Sequence, residues 1–269
     1  MPITIWTFPQ PPIEEKLIVL RDVSIEKNGK FILKNVNFTW RKGERIALLG
    51  RNGCGKTTLA SVIAGLIAPS RGEVIMEGRV GIVFQEPETQ FVTLNCEEEI
   101  SFGLENMGLS REEVEERIEK VKEKLGIEPF FSRNPFTLSG GELQIMAVAS
   151  ILVMEPDFLI FDEATSFLDA EWKRKVYKVW EEYPGGIMII TQDFSEVVYA
   201  EKVYVMEEGK IVYEGKTEEM LERGLLRTDE VLFVSFLKEM GIEINAWRRD
   251  EILKGVVNAY TQGSGGLQK

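Results

Sequence analysis

The clearest chemistry in this sequence lies in a glycine-rich segment, Gly50-Arg-Asn-Gly-Cys-Gly-Lys56-Thr57. A short apolar strand pattern ends at Gly50, and a helix pattern begins at Lys56. Glycines in such a loop let backbone N–H groups close on phosphate oxygens, and the N-terminus of the following helix adds partial positive charge. The segment therefore predicts a phosphate-binding loop formed by these residues: Asn52, Gly53, Cys54, Gly55, Lys56, Thr57 and Thr58.

Side chains of this loop have separate expected roles. We expect the ammonium group of Lys56 to reach the β- and γ-phosphates and the hydroxyl of Thr57 to ligate Mg²⁺. Cys54 is interpreted as a small residue that the loop tolerates, and the alternative is a redox role for its thiol. ATP and Mg²⁺ are the cofactors that this loop predicts.

A second segment, Phe158-Leu-Ile-Phe-Asp162-Glu163, has four apolar residues followed by two acids. It resembles a Walker B motif, in which a buried strand ends in carboxylates. In that interpretation Asp162 orients Mg²⁺ through water, and Glu163 polarises the attacking water. The alternative is a strand that ends in two solvated acids. A phosphate-binding loop in the same chain disfavours this alternative.

A third segment, Leu138-Ser139-Gly140-Gly141-Glu142, places a serine and two glycines where a helix pattern begins. Backbone N–H groups at such a helix start make a second cradle for an anion. The segment resembles the signature motif of ATP-binding cassette (ABC) ATPases, and the resemblance covers about residues 16–220. It implies that the residues from Ser139 to Glu142 cover the γ-phosphate of an ATP held by a second cassette.

The same resemblance implies roles for two further residues. Gln85 ends a strand where the family has a glutamine that senses Mg²⁺ and water, so it is a candidate for metal binding and catalysis. Asp169 closes the segment Ser166-Phe-Leu-Asp169, which follows the Walker B motif where the family has its D-loop. The resemblance thus implies that Asp169 lies at the nucleotide site.

Two positions depart from the family pattern. The strand Ile187-Met-Ile-Ile-Thr191 should lead into a switch histidine, yet Gln192 follows it and the chain has no histidine. Lys27 stands where an aromatic ring usually stacks on adenine, with Phe31 and Trp6 as alternatives. Glutamine can donate a hydrogen bond but cannot become cationic, so we expect this chain's own Walker site to be impaired.

A narrower resemblance rests on Phe84-Gln-Glu-Pro-Glu-Thr-Gln-Phe91 and Ile100-Ser-Phe-Gly-Leu-Glu-Asn106. Both segments look like those of the ATPases of energy-coupling factor (ECF) transporters, which take up vitamins and transition metals. This resemblance implies a second ABC ATPase subunit, with a heterodimer favoured, an integral membrane coupling subunit and a substrate-binding membrane subunit. The chain would then lie at the cytoplasmic face of the membrane. The alternative is a soluble ABC ATPase of the iron–sulfur cluster scaffold type.

Composition narrows the function classes. The net charge is -12, which argues against nucleic acid as a partner because such a binder needs a basic face. Two cysteines argue against a disulfide framework, and the lack of histidine excludes Ser-His-Asp hydrolysis and His-ligated zinc. No apolar run approaches the ~20 residues of a membrane span, so we expect a peripheral protein.

These motifs need an α/β fold that places loops at the ends of buried strands. The pattern predicts a P-loop NTPase core of ABC type, an antiparallel β subdomain and a helical subdomain at about residues 95–150. Asn28-Gly29 predicts the type I′ turn of a hairpin, and Ser110 with Glu113 predicts a capped helix. We expect an extended arm at residues 1–15, the cassette at 16–225, and a helical appendage with a flexible tail at 226–269.

Overall fold

The computed structural model describes residues 16–105, 107–222 and Ile252, and the strands and helices of these ranges form two sheets with helices around them. The strands are β1 Leu17–Lys27, β2 Lys30–Arg41, β3 Arg45–Gly50, β4 Arg71–Met76, β5 Val80–Val83, β6 Phe158–Asp162, β7 Gly186–Ile190, β8 Lys202–Glu207 and β9 Lys210–Lys216. The helices are α1 Lys56–Ile63, α2 Cys96–Glu105, α3 Arg111–Leu125, α4 Gly140–Leu152, α5 Ala170–Glu182 and α6 Thr217–Glu222.

The smaller sheet is antiparallel, with the strand order β2-β1-β4. Its hairpin turns at Asn28 and Gly29, which have φ of 52° and 73°, the left-handed values that a type I′ turn requires at both central residues. Lys27 pairs with Lys30 on either side of that turn. The predicted hairpin and the antiparallel β part are confirmed.

The larger sheet has the order β5-β6-β7-β3-β8-β9 and is parallel except for β9. Every residue of β6 and β7 is buried, as expected for central strands with a layer on each face. The carboxyl ends of β3, β5, β6 and β7 therefore meet at one edge of the sheet. Because the four motif loops follow these four strands, the topology brings their residues together, and the α/β fold class is confirmed.

Helices α2, α3 and α4 follow one another between β5 and β6 and share a buried apolar cluster. Ser110 caps α3 in a full capping box: its hydroxyl accepts from the N–H of Glu113, and the Glu113 carboxylate accepts from the N–H of Ser110. This confirms the predicted helix start. Trp180 of α5 and Phe161 of β6 pack edge to face at 5.5 Å between ring centroids in the same cluster.

Several predictions concern residues outside the described ranges. The arm at 1–15 and the appendage at 226–269 fall there, apart from the buried Ile252. The division of the chain into arm, cassette and appendage stays a prediction. Among the described residues, no helix combines the length and apolar character needed to cross a bilayer.

Candidate nucleotide site

The phosphate-binding loop runs from the end of β3 to the first residue of α1. A side chain at Gly50 would place its Cβ 2.5 Å from the carbonyl oxygen of Met206, so only glycine fits where the loop leaves the sheet. Gly53 has φ of 76°, and a Cβ there would meet nothing within 4 Å. The loop is thus packed on its sheet side and open on the other, which fits a cradle for phosphate oxygens.

Lys56 lies inside this cradle, with its side chain only 5% exposed. Its Nζ donates to the carbonyl oxygens of Gly50 at 2.8 Å and Arg51 at 3.3 Å, and lies 3.9 Å from Oε1 of Glu163. A buried ammonium so placed can exchange loop carbonyls for phosphate oxygens without crossing open solvent. The geometry suits the role predicted for Lys56.

Oxygen ligands of the kind that Mg²⁺ prefers adjoin Lys56. The hydroxyl of Thr57 hydrogen-bonds the carboxylate of Asp162. Burial raises the pKa of Asp162, and the bond from Thr57 opposes that rise by stabilising the charged form. The described residues contain no cluster of three His, Cys, Asp or Glu side chains that would hold a metal. A hydroxyl and one carboxylate therefore fit a Mg²⁺ that takes its other ligands from phosphate and water.

Glu163 and Gln192 meet beside the loop. The Nε2 of Gln192 donates to Oδ1 of Asn52 at 2.7 Å and to Oε1 of Glu163 at 2.8 Å. Glu163 has φ of 51°, a left-handed value that is costly for a residue other than glycine, and its N–H donates to the carbonyl of Ile190 at 2.8 Å. The structure thus brings together the predicted Walker B acid, the switch position and the loop.

Gln85 follows β5, where Val83 pairs with Phe161 of the parallel strand β6. Gln85 therefore lies at the same edge of the sheet as Glu163, with its side chain exposed. The preceding residue is tied to the signature helix, because Nε2 of the fully buried Gln144 donates to the carbonyl of Phe84 at 3.2 Å. Sequence reasoning missed Gln144, since nothing in its spacing distinguishes it from the other buried residues of α4.

The signature residues form the start of helix α4. Ser139 is the N-cap, and its hydroxyl accepts from the N–H of Glu142 at 3.3 Å, while the Glu142 carboxylate accepts from the N–H of Ser139 at 2.8 Å. A Cβ at Gly140 would meet nothing within 4 Å, whereas one at Gly141 would lie 3.1 Å from the carbonyl oxygen of Phe167. Because the Ser139 hydroxyl acts as an acceptor in this cap, its O–H can still donate a hydrogen bond to an anion.

Asp169 has a structural partner that the sequence analysis did not assign. Its Oδ1 accepts from the N–H groups of Glu171 and Trp172, both at 2.9 Å, so it caps α5. An aspartate directly before a helix pattern is a known capping signal and could have been read as one. The nucleotide role of Asp169 stays a prediction.

The residue that stacks on adenine stays a prediction, and Phe31 is a candidate near the phosphate-binding loop. The carbonyl oxygen of Ile32, the next residue, lies 3.0 Å from where a Cβ at Gly55 would be. Phe31 is 41% exposed, and the guanidinium of Arg71 lies 5.7 Å from its ring centroid. Lys27 offers no ring, and Trp6 lies outside the described residues.

Comparisons with known proteins bear on the family of this chain. A model of the ABC transporter family matches residues 33–166. An energy-coupling factor transporter ATP-binding protein of Enterococcus faecium is 39% identical over 79% of this chain and 85% of the relative. This chain belongs to the ATP-binding cassette family of ATPases. A solved structure of CbiO1 from Clostridium perfringens, described as part of the ABC transporter complex CbiONQ, is similar to the cassette at a TM-score of 0.67 and 29% identity, covering 84% of this chain and 100% of that one. A bacterial ABC transporter cassette solved as a dimer gives a TM-score of 0.67 at 25% identity over 74% of this chain and 98% of that one.

Proposed function

We propose that the cassette is the ATP-hydrolysing subunit of an ECF-type importer and works as one half of a heterodimer. The observation that carries the proposal is the division of the site. The loop, Glu163 and Gln192 adjoin one another, while Ser139 and Gly140 open a different helix and face outward. Each set of residues is half of a nucleotide site, so a second cassette must complete both. The names of its relatives support import through a membrane complex.

In this proposal the residues of the chain divide the work at its own loop. When bound, Mg-ATP supplies the phosphoryl group and the metal that neutralises its charge. Lys56 binds phosphate oxygens, and Thr57 and Asp162 hold the metal. Glu163 accepts a proton from the attacking water, which it and the amide of Gln192 orient.

The amide of Gln192 supports a slow site. It lies within hydrogen-bond distance of Glu163, so it can orient the carboxylate or a water. It stays neutral at any pH of the cell, whereas a histidine could carry charge or exchange a proton. Losing one such group typically costs about 10²–10⁴ in rate, which makes turnover slow rather than absent. The competing proposal is that Glu163 alone keeps this site fully active.

We further propose that the segment from Gln85 to Phe91 contacts the membrane partner. Glu86 and Glu88 are exposed and suit an arginine on a partner helix. Phe91 is buried in the apolar cluster of the helices, so it anchors the segment and cannot itself meet a partner. The apolar surface lies further along, since Val92 and Leu94 are 70% and 69% exposed. A docked helix would cover both.

Purification of the tagged chain from its native membrane tests the proposal. We expect a second cassette and a multi-spanning membrane protein to remain bound, identified by mass spectrometry, and ATPase activity that is much faster with the second cassette than with this chain alone. A matched purification of the Glu86→Lys/Glu88→Lys variant should keep the cassette and lose the membrane protein. Recovery of iron–sulfur assembly proteins instead would support the scaffold alternative and overturn the import proposal.

A further inference from the structure

Glu196 is a buried acid that no motif of the cassette accounts for. It lies in a short 3-10 helix, Phe194–Tyr199, that follows the switch position, and it is 1% exposed. Burial raises the pKa of Glu196, opposed by hydrogen bonds from Thr165 and Thr191. The charged groups that act on it are Asp193, which disfavours its ionisation, and Lys173, which favours it. Burying a carboxyl group so far from water costs free energy unless hydrogen bonds replace its lost hydration.

The partners of this carboxyl group come from both sides of the catalytic pair. Oε1 of Glu196 accepts from the hydroxyl of Thr165 at 2.5 Å, and Thr165 lies in the turn that Glu163 begins. Thr191 precedes Gln192 directly, and its Oγ1 already accepts from the N–H of Asp193 at 2.9 Å, which leaves its proton free for Glu196. One side chain thus joins the turn after β6 to the turn after β7.

A third partner fixes this junction to the body of the protein. The hydroxyl of Tyr177 on α5 donates to Oε1 of Glu196 at 3.1 Å. The ring of Tyr177 packs against Trp180 at 5.0 Å between centroids, inside the apolar cluster. The carboxyl group therefore has a fixed position against which both turns are held.

We propose that Glu196 is a positioning residue that holds Glu163 and Gln192 in register through Thr165 and Thr191. The inference rests on the proposed hydrolysis at this chain's own loop. A shift of an ångström in the distance between Glu163 and Gln192, now 2.8 Å, would misdirect the attacking water. Phosphate binding should change little, because the loop that holds Lys56 is positioned by β3 and α1 at its two ends.

The test measures ATP hydrolysis by the purified chain alone, where every complete site uses its own loop. Glu196→Ala should lower kcat about tenfold while KM for ATP stays within about twofold. Thr165→Val removes one of the hydrogen bonds to Glu196 and should lower kcat in the same direction, and the double variant should be no slower than Glu196→Ala, because Glu196→Ala already removes the bond to Thr165. Glu196→Gln retains an acceptor for Thr165 and should recover most of kcat.

Hydrogen–deuterium exchange supplies a readout that does not depend on turnover. In Glu196→Ala the amides of 164–168 and 191–194 should exchange faster together, while those of 51–57 stay unchanged. Tyr183→Phe is the matched control, because it removes another buried tyrosine hydroxyl bond, to the carbonyl of Pro156, far from these turns. It should change neither kcat nor exchange in the two turns.

The outcomes separate this inference from the proposed function. Unchanged kcat in Glu196→Ala, or faster exchange in only one turn or neither, overturns the positioning role. A wild-type chain that hydrolyses no ATP would instead count against hydrolysis at its own loop. Exchange would then still decide whether Glu196 holds the two turns together.

Discussion

The two half-sites of this cassette are built differently. The half around Lys56 is closed on itself: the ammonium bonds loop carbonyls, and Gln192 bridges Asn52 and Glu163. The half around Gly140 is open, with a capped helix start and free space where a side chain would project. The half around Lys56 therefore departs from the family pattern, because Gln192 stands at the switch position. The half around Gly140 keeps the family pattern and stays open to a partner.

If the chain works in a heterodimer, as we propose, this difference predicts which half contributes more to ATP hydrolysis. A chain with slow hydrolysis at its own loop but an intact signature is most useful to a partner whose own loop supports fast hydrolysis. In such a pair the fast site combines the partner's loop with the helix start at Ser139. Four variants test this comparison, and their expected effects decrease from the first to the last.

Gly140→Asp should have the largest effect. It sets a carboxylate against the γ-phosphate of the partner's ATP, and we expect heterodimer ATPase to fall by at least about 100-fold. The variant should fold normally, because a Cβ at Gly140 meets nothing within 4 Å. Gly140→Ala adds volume without charge and should stay at least about tenfold more active than the aspartate variant. Equal losses in the two would mean that space, not charge, is what the glycine provides.

Lys56→Ala should have the next largest effect, on binding at this chain's own loop. We expect Mg-ATP to bind at least tenfold more weakly, about 1.4 kcal/mol, in equilibrium titration of the chain. The exposed Lys120 of α3, which pairs with Glu116, gives the matched control as Lys120→Ala. Wild-type affinity in Lys56→Ala would show that this loop does not hold the phosphates.

Glu86→Lys together with Glu88→Lys should lower transport about fivefold in reconstituted vesicles, because both carboxylates lose a cationic partner. Soluble ATPase activity should stay near wild type, since neither residue adjoins Lys56 or Glu163. Glu112→Lys with Glu115→Lys, on the exposed face of α3, is the charge-matched control. Transport at the wild-type rate in the Glu86 and Glu88 variant would exclude this segment as the docking surface.

Short sequence patterns predicted the turns and helix caps of this molecule, but not the contacts between residues far apart in the chain. The turn at Asn28-Gly29 and the cap at Ser110 depend on neighbours within a few residues, and both are confirmed. The position of β7 between β6 and β3 depends on pairings across much of the chain, so no local signal fixes it. The bond between Thr165 and Glu196, 31 residues apart, was out of reach for the same reason.

The same distinction between local patterns and long-range packing applies to the candidate site. Lys56, Asp162 and Glu163 were predictable because each lies in a contiguous motif, and the sheet brings them together. Phe91 lies in the segment proposed to dock on the membrane partner, yet it is buried, because its side chain packs into the apolar cluster of the helices. Contiguous motifs name the chemistry, and only packing decides which neighbours a partner can reach.

Glu163→Gln should have the smallest effect, and it tests the comparison most directly. If this chain's loop forms the slow site, removing its general base should lower heterodimer ATPase by less than about twofold. The same change in the partner's Walker B acid should cost at least about 100-fold, because that acid serves the fast site. Gln192 also bonds Oε1 of Glu163, and an amide in place of the carboxylate can still accept at that position, so the local geometry survives. Steady-state ATPase of the two heterodimers, each with one variant subunit, measures the ratio. Equal losses from both variants would mean that both loops turn over at similar rates, and the glutamine at the switch position would then be no impairment.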